Sequence, residues 1–147
     1  MGWHEAYLAQ ARGEHAVLRM LTGRKLESCH RLHYLQMVTE KLAKALLTKP
    51  GSDTPAPPSH VLFVRMLQSL KWRPDVWRSL GYTRATVFKR YVDSLLDLAT
   101  KIERLSPDQA GFGQPNPEYP WRDRAGNQVL APVEYEFAEF DQRPNRG

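Results

Sequence analysis

Apolar side chains recur every three or four residues along three long stretches of the chain, a spacing that places them on one face of an α-helix. These stretches cover about residues 2–21, 25–48 and 84–106. A shorter helix is predicted after the natural cap Ser59, and one or two helical turns follow Pro74. No alternating strand pattern interrupts these helices. The sequence therefore predicts an all-α, up-and-down bundle of four to five helices.

The chain changes character near residue 110. Residues 111–147 are rich in proline, glycine and asparagine, yet they hold six aromatic side chains, a density that favours burial. We therefore predict that residues 1–110 form the bundle and that residues 111–147 form an irregular C-terminal tail packed on it, within the same domain. In this tail, "VEYEF" (residues 133–137) suits a short extended segment and "RAGN" (residues 124–127) suits a turn.

The net charge of +5 is unevenly distributed. Residues 1–110 hold 17 Lys and Arg against 10 Asp and Glu, whereas residues 111–147 hold 4 against 6. This basic body is compatible with a polyanionic partner such as RNA or DNA. The single cysteine, Cys29, permits no internal disulfide, so we expect a reducing compartment, the cytoplasm. No apolar run approaches the roughly 20 residues of a membrane span, so no membrane association is expected.

The second predicted helix carries polar side chains on its apolar face. Gln36 falls inside the apolar arc and Glu40 lies on its rim. Together with Lys41, Lys44 and Ala45 they spell QxxxEKxxKA, which resembles a helix that recurs in HEPN (higher eukaryotes and prokaryotes nucleotide-binding) domains. The segments "ARGEHAVLRML" and "HVLFVRML" resemble the first and third helices of the same family. The resemblance covers about residues 5–105.

This resemblance implies an up-and-down bundle that commonly dimerises, so we expect a homodimer. In such a bundle, Gln36 is expected to hydrogen-bond a neighbouring helix or its two-fold mate. Glu40 is expected to pair with Lys44 one turn on or with a basic side chain opposite. The resemblance implies a nucleic-acid, toxin–antitoxin or phage-defence setting. Because the residues show no evident active site, we expect a binding or accessory module without catalytic activity.

A second hypothesis from the resemblance is a metal-independent ribonuclease toxin whose partner is a nucleotidyltransferase-like protein. Active members use Arg, four to six residues and then His, because the reaction needs a proton acceptor and a cation for the phosphate. Arg24 and His30 are the match in this chain. A six-residue step leaves them about 120° apart on a regular helix, so they converge only if the helix starts irregularly. His60 is the other weak candidate.

A third hypothesis is a DNA-binding helix-turn-helix in "DVWRSLGYTRATVFKRYV", residues 75–92. In this interpretation Arg84, Lys89 and Arg90, with Arg78 on the first helix, contact the groove or the phosphates. Bulky Trp77 departs from the motif, which places a small residue there, and the second helix continues far beyond the length of a recognition helix.

The tail offers one more candidate surface. In "NPEYPWRD", Asn116, Tyr119 and Trp121 lie between prolines and form either a stiff strip that docks a partner or a brace fixed to the bundle. Cys29 adjoins His30, but no clustered carboxylate completes a metal-ligand set. No phosphate-binding glycine loop is present either, so neither a metal nor another cofactor is predicted.

Overall fold

The computed structural model describes residues 1–109 and 113–140. This part of the chain is mostly helical and contains five α-helices, which confirms the predicted all-α bundle with an irregular C-terminal region. The helices are α1 (Trp3–Leu21), α2 (Ser28–Leu47), α3 (Phe63–Leu70), α4 (Pro74–Ser79) and α5 (Ala85–Glu103). None of the helices described is both long and apolar enough to cross a lipid bilayer.

Helices α1 and α2 form an antiparallel pair, because only six residues connect them. The imidazole Nδ1 of His4, at the start of α1, donates to the carbonyl oxygen of Ala45, near the end of α2, at 2.7 Å. Ala11 and Glu14 are the buried side chains on the face of α1. Helices α3 and α5 also pack on α2 and on each other.

The main core lies where α2, α3 and α5 meet. Phe88 and Val92 on α5 are each 2% exposed, and Met66 on α3 is 1% exposed, so part of the apolar stripe predicted for the last long helix faces this core. Two other members of the predicted stripe, Tyr91 and Leu98, are exposed. The stripe holds α5 in the bundle because each fully buried apolar side chain contributes roughly 1.5–3 kcal/mol. The remaining buried members of this core are Ala43, Leu62, Leu67 and Ala99.

Helix α3 begins three residues later than the sequence predicts. The hydroxyl of Ser59 accepts a hydrogen bond from the backbone N–H of Val61 at 3.2 Å, but this forms a local turn and does not cap the helix. Leu62 takes the N-cap position instead. His60 therefore lies on an irregular segment ahead of α3, and its side chain can reach across to α2.

The tail packs against the N-terminal half of α2 through a second apolar cluster. Trp121 and Phe137 from the tail meet Cys29 and Leu32 of α2, and Leu105 completes the cluster. Strand β1 (Trp121–Arg122) pairs antiparallel with strand β2 (Val129–Leu130), with Trp121 opposite Leu130. This pairing closes the turn predicted at "RAGN".

The extended segment predicted at "VEYEF" is wrong in its first half. Pro132–Glu134 form a single 3₁₀ turn, because Pro132 fixes the backbone for a turn and the N–H of Glu134 donates to the carbonyl of Ala131. Extended backbone resumes only at Tyr135. Residues 110–112 and 141–147 of the predicted tail lie outside the described part.

Candidate functional site

A group of polar side chains surrounds Glu40 inside the bundle. Glu40 and Gln36 are each 3% exposed and Lys44 is 8% exposed, so the helical pattern correctly placed this polar pair in the interior. One carboxylate oxygen of Glu40 accepts from Lys44 Nζ at 2.8 Å and from Lys41 Nζ at 3.1 Å. The other accepts from Gln36 Nε2 at 3.2 Å and from His60 Nδ1 at 2.7 Å. We call these five residues the Glu40 cluster.

The charges of the Glu40 cluster keep its carboxylate ionised. Burial alone raises the pKa of the Glu40 carboxyl, but hydrogen bonds from Lys44 and His60 and the positive charge of Lys41 outweigh burial and lower the pKa to about 2. The buried carboxylate and the buried Lys44 ammonium therefore form an ion pair at neutral pH. Such a pair is stable in an interior only because all its partners are in place.

The geometry of the Glu40 cluster indicates a structural role, in which it links α2 to a second segment of the chain. Both carboxylate oxygens already accept two hydrogen bonds each, so Glu40 has no free oxygen with which to take a proton from a substrate. Its bond to His60 links α2 to the segment before α3, 20 residues further along the chain. Gln36 donates within its own helix, whereas the sequence led us to expect a bond to a neighbouring helix or a two-fold mate.

Arg24 and His30 are each engaged with a neighbour in the chain. Arg24 Nε donates to the carbonyl oxygen of Met20 at 3.0 Å and so satisfies the C-terminal end of α1. His30 Nε2 lies 3.5 Å from a carboxylate oxygen of Glu27. Both side chains are exposed, and no hydrogen bond joins them within the described ranges. The structure therefore does not assemble the arginine and the histidine into a shared site.

The positive charge of the chain is concentrated around α4. Residues 71–91 hold six of the 21 Lys and Arg and only one of the 16 Asp and Glu. Their net charge of +5 equals that of the whole chain, so all other residues together are neutral. We call residues 71–91 the basic segment. A local excess of this size attracts polyanions over a range of about 8–10 Å at physiological ionic strength.

Two of the six cations in the basic segment are neutralised by carboxylates. Lys71 contacts Asp93 on α5, and Arg73 Nε donates to Asp75 at 2.9 Å. The other four form no ion pair with a described residue, and these four are the candidates named from the sequence: Arg78, Arg84, Lys89 and Arg90. Their charges are therefore available to an external partner.

Aromatic rings accompany the unpaired cations. Lys89 Nζ lies 3.8 Å from the centroid of the Trp72 ring, and the guanidinium carbon of Arg78 lies 4.9 Å from the centroid of the Trp77 ring. Trp72 is 73% exposed, whereas Trp77 is partly buried against the main core. Proteins that bind single-stranded nucleic acid combine cations, which attract phosphates, with aromatic rings, which stack on bases.

The segment predicted as a helix-turn-helix forms a short helix, a turn and a long helix. Helix α4 has six residues, and Gly81, with a φ of 83°, makes the turn that only glycine adopts without strain. Helix α5 has 19 residues and buries one face in the bundle along much of its length. Arg84 precedes the first residue of α5, and Arg90 lies on its exposed side.

Two of the three candidate side chains of the predicted strip in the tail are buried. Asn116 has 0% exposure, and its amide nitrogen donates to the carbonyls of Leu105 and Ser106 at 3.1 and 3.2 Å. Trp121 is buried against Tyr135, and only Tyr119 is exposed. A docking strip needs exposed side chains, so this placement favours the alternative that the segment braces the bundle.

Two features of these sites were not identified from the sequence. The pairing of His60 with Glu40 joins an irregular loop to a helix, and no periodic pattern encodes it. Trp72 lies in the link between α3 and α4, and the signal that would have identified it is a tryptophan outside every apolar stripe within a basic run. In the described ranges, no group of three or more His, Cys, Asp and Glu side chains is placed to hold a metal ion.

Searches of protein-family models, of curated proteins and of solved structures find no match to this chain.

Proposed function

We propose that this chain is a HEPN-like helical module that binds nucleic acid through the basic segment and acts as a binding or accessory protein. One observation carries the proposal: residues 71–91 hold the whole net charge of the chain, and four of their cations are unpaired within the described structure. Phosphate neutralisation supplies most of the affinity of a nucleic-acid binder, so unpaired cations are the feature such a protein needs.

The family resemblance supports the part of the proposal that describes the chain as a HEPN-like helical module. The QxxxEKxxKA residues lie in the middle and C-terminal part of α2, where the carboxylate of Glu40 accepts hydrogen bonds from Lys44 and His60. Two further expectations follow from the resemblance alone: a homodimer and, in a toxin–antitoxin setting, a nucleotidyltransferase-like partner. A cytoplasmic location is expected from the single cysteine, Cys29. Gel filtration with light scattering tests the first directly, since a dimer doubles the mass of 16.9 kDa.

A binding role is favoured over a ribonuclease role by the local partners of the candidate catalytic residues. Arg24 and His30 each contact a neighbour in the chain, and both oxygens of Glu40 are occupied. Incubation with end-labelled RNA separates the two roles. Binding without cleavage is the expected result, and cleavage that disappears in His30→Ala would establish the enzyme.

The binding proposal is tested with fluorescein-labelled oligonucleotides and fluorescence anisotropy. The test variant is Arg84→Ala/Arg90→Ala, which removes two exposed cations from the basic segment. The matched control is Arg12→Ala/Arg19→Ala, which removes two exposed cations from α1 and changes the net charge equally. We expect the test variant to bind about tenfold or more weakly than the control at 0.1 M salt, from the loss of two phosphate contacts.

Two outcomes contradict the proposal. If the wild-type chain shows no saturable binding to RNA or DNA at 0.05 M salt, the basic segment does not serve this function. If both double variants weaken binding equally, the interaction reflects net charge and not the basic segment. Circular dichroism spectra of all three proteins establish that the helices are intact.

A further inference from the structure

We propose that the nucleic acid bound by the basic segment is single-stranded and that one of its bases stacks on Trp72. This inference rests on the function proposed above. Trp72 is 73% exposed, which makes it the most exposed aromatic side chain in the described part of the chain. A large apolar ring exposed to water gives up the stabilisation that burial provides, so a ring kept at the surface among cations indicates a ligand that covers it.

The environment of Trp72 prepares the ring for stacking. The ammonium of Lys89 lies 3.8 Å from the ring centroid, an attractive contact that restricts the rotation of the indole. Trp72 is 73% exposed even with this cation beside its ring, so much of the side chain is accessible to a base. A base that stacks there would leave its phosphate near the unpaired cations of the same segment.

Stacking on Trp72 selects single strands. In a duplex the base faces are covered by neighbouring base pairs, and only edges and phosphates are presented in the grooves. A single strand exposes the faces, and an aromatic platform binds them with little regard to sequence. Helix α4 has only six residues, and α5 is held in the bundle by its buried stripe, so neither helix offers the free length with which helix-turn-helix proteins enter a major groove.

An acidic protein surface is the competing ligand for the same charges. It would engage Arg78, Arg84 and Arg90 through carboxylates, but carboxylates gain nothing from an open indole face. The two ligands therefore predict different consequences of removing the ring while every charge is kept. Inorganic polyphosphate reproduces the charge of a nucleic acid without its bases and isolates the contribution of the ring.

The experiment compares the wild-type chain, Trp72→Ala, Trp72→Phe and the control Trp3→Ala. Trp3 is a partly exposed tryptophan on α1, far along the chain from the basic segment. Three probes are used: a labelled 12-nucleotide single strand, a 12-base-pair duplex and polyphosphate of similar charge in competition. We expect Trp72→Ala to weaken single-strand binding by about 5- to 100-fold, the range for loss of one stacked base. Polyphosphate competition should stay unchanged, Trp72→Phe should recover most of the affinity, and Trp3→Ala should bind as wild type does.

The outcomes separate this inference from the function beneath it. If the wild type binds the duplex as tightly as the single strand and Trp72→Ala binds both normally, the stacking inference is overturned while nucleic-acid binding stands. If Trp72→Ala weakens the single strand and polyphosphate equally, the indole only organises Lys89, and the inference again fails. If none of the probes binds the wild type, the proposed function itself fails. Because Trp72 is exposed, the variants should keep the melting temperature of the wild type, which a thermal scan verifies.

Discussion

Replacing Glu40 with glutamine tests the Glu40 cluster most severely. The substitution keeps the shape and the capacity of one oxygen to accept hydrogen bonds, but it removes the negative charge. The Lys44 ammonium, with its side chain 10% exposed, then has no anionic partner in the cluster. The new amide nitrogen of glutamine is itself a donor, and it replaces one of the two accepting oxygens. It would therefore face either Gln36 and His60 or Lys44 and Lys41, which are also donors. We therefore expect a large loss of stability with little change in fold.

The magnitude follows from the pKa of Glu40. The folded pKa of about 2 lies roughly two units below the ordinary value for glutamate, near 4.3, and each unit corresponds to about 1.4 kcal/mol. The ionised carboxylate therefore contributes about 3 kcal/mol at neutral pH. Removing one member of a buried ion pair typically costs about 3–5 kcal/mol, which is of the same size. We predict that Glu40→Gln lowers the free energy of unfolding by about 3 kcal/mol at pH 7.

The sign of the pH dependence follows from the direction of the pKa shift. Because the folded pKa of Glu40 is depressed, its contribution is complete above the unfolded pKa and declines as the pH falls from about 5 towards 2. The difference in stability between wild type and Glu40→Gln should therefore be largest at pH 7 and smaller at pH 3. At pH 3 the folded carboxylate is still mostly ionised, so a difference of about 1.4 kcal/mol should remain there.

Urea unfolding followed by circular dichroism at pH 7, 5 and 3 measures these differences. Asp97→Asn is the control, since the Asp97 side chain is 85% exposed and its contact with Lys101 lies on the surface. We expect this control to change stability by less than about 0.5 kcal/mol at any pH. The reasoning is refuted if Glu40→Gln matches the control at pH 7, or if its deficit stays constant from pH 7 to pH 3.

Three further predictions concern Asn116, His60 and Cys29. Asn116→Ala should lower the free energy of unfolding, measured in urea, by about 2–4 kcal/mol, because it leaves two carbonyls and two N–H groups without a hydrogen-bond partner. A loss below about 0.5 kcal/mol would contradict the interpretation that this segment braces the bundle. His60→Ala should cost about 1 kcal/mol, less than Glu40→Gln, since its side chain is 38% exposed; an equal loss contradicts this ranking. Burial raises the pKa of the Cys29 thiol, so a thiol reagent at pH 8 should label it only on unfolding, and rapid labelling of the folded chain contradicts its placement.

The helices could be predicted from the sequence because each is encoded by its own local periodicity. The burial of Gln36 and Glu40 followed from the same pattern, since a helix with an apolar arc must place every residue in that arc against a neighbour. The start of α3 was misplaced because a local turn at Ser59 competes with the helix for the same cap. Helix ends depend on such competition and are the least predictable part of an element.

The long-range contacts could not be predicted, because no local pattern records them. His60 reaches Glu40 only because the segment before α3 is irregular and returns to α2. The tail illustrates the same limit: its aromatic content predicted packing, but the positions of Trp121 and Phe137 against Cys29 depend on the path of the chain through 3₁₀ turns. The charges of the basic segment can be counted in the sequence, but the sequence does not show which of them form ion pairs.

The salt dependence of nucleic-acid binding tests the central claim most directly. Four unpaired cations in the basic segment predict a slope of about −3 for the logarithm of the single-strand association constant against the logarithm of the salt concentration. Arg84→Ala/Arg90→Ala should reduce this slope to about −1.5, while Arg12→Ala/Arg19→Ala should keep it near −3. A slope that is identical for the two double variants, or near zero for the wild type, would contradict the assignment of phosphate contacts to the basic segment.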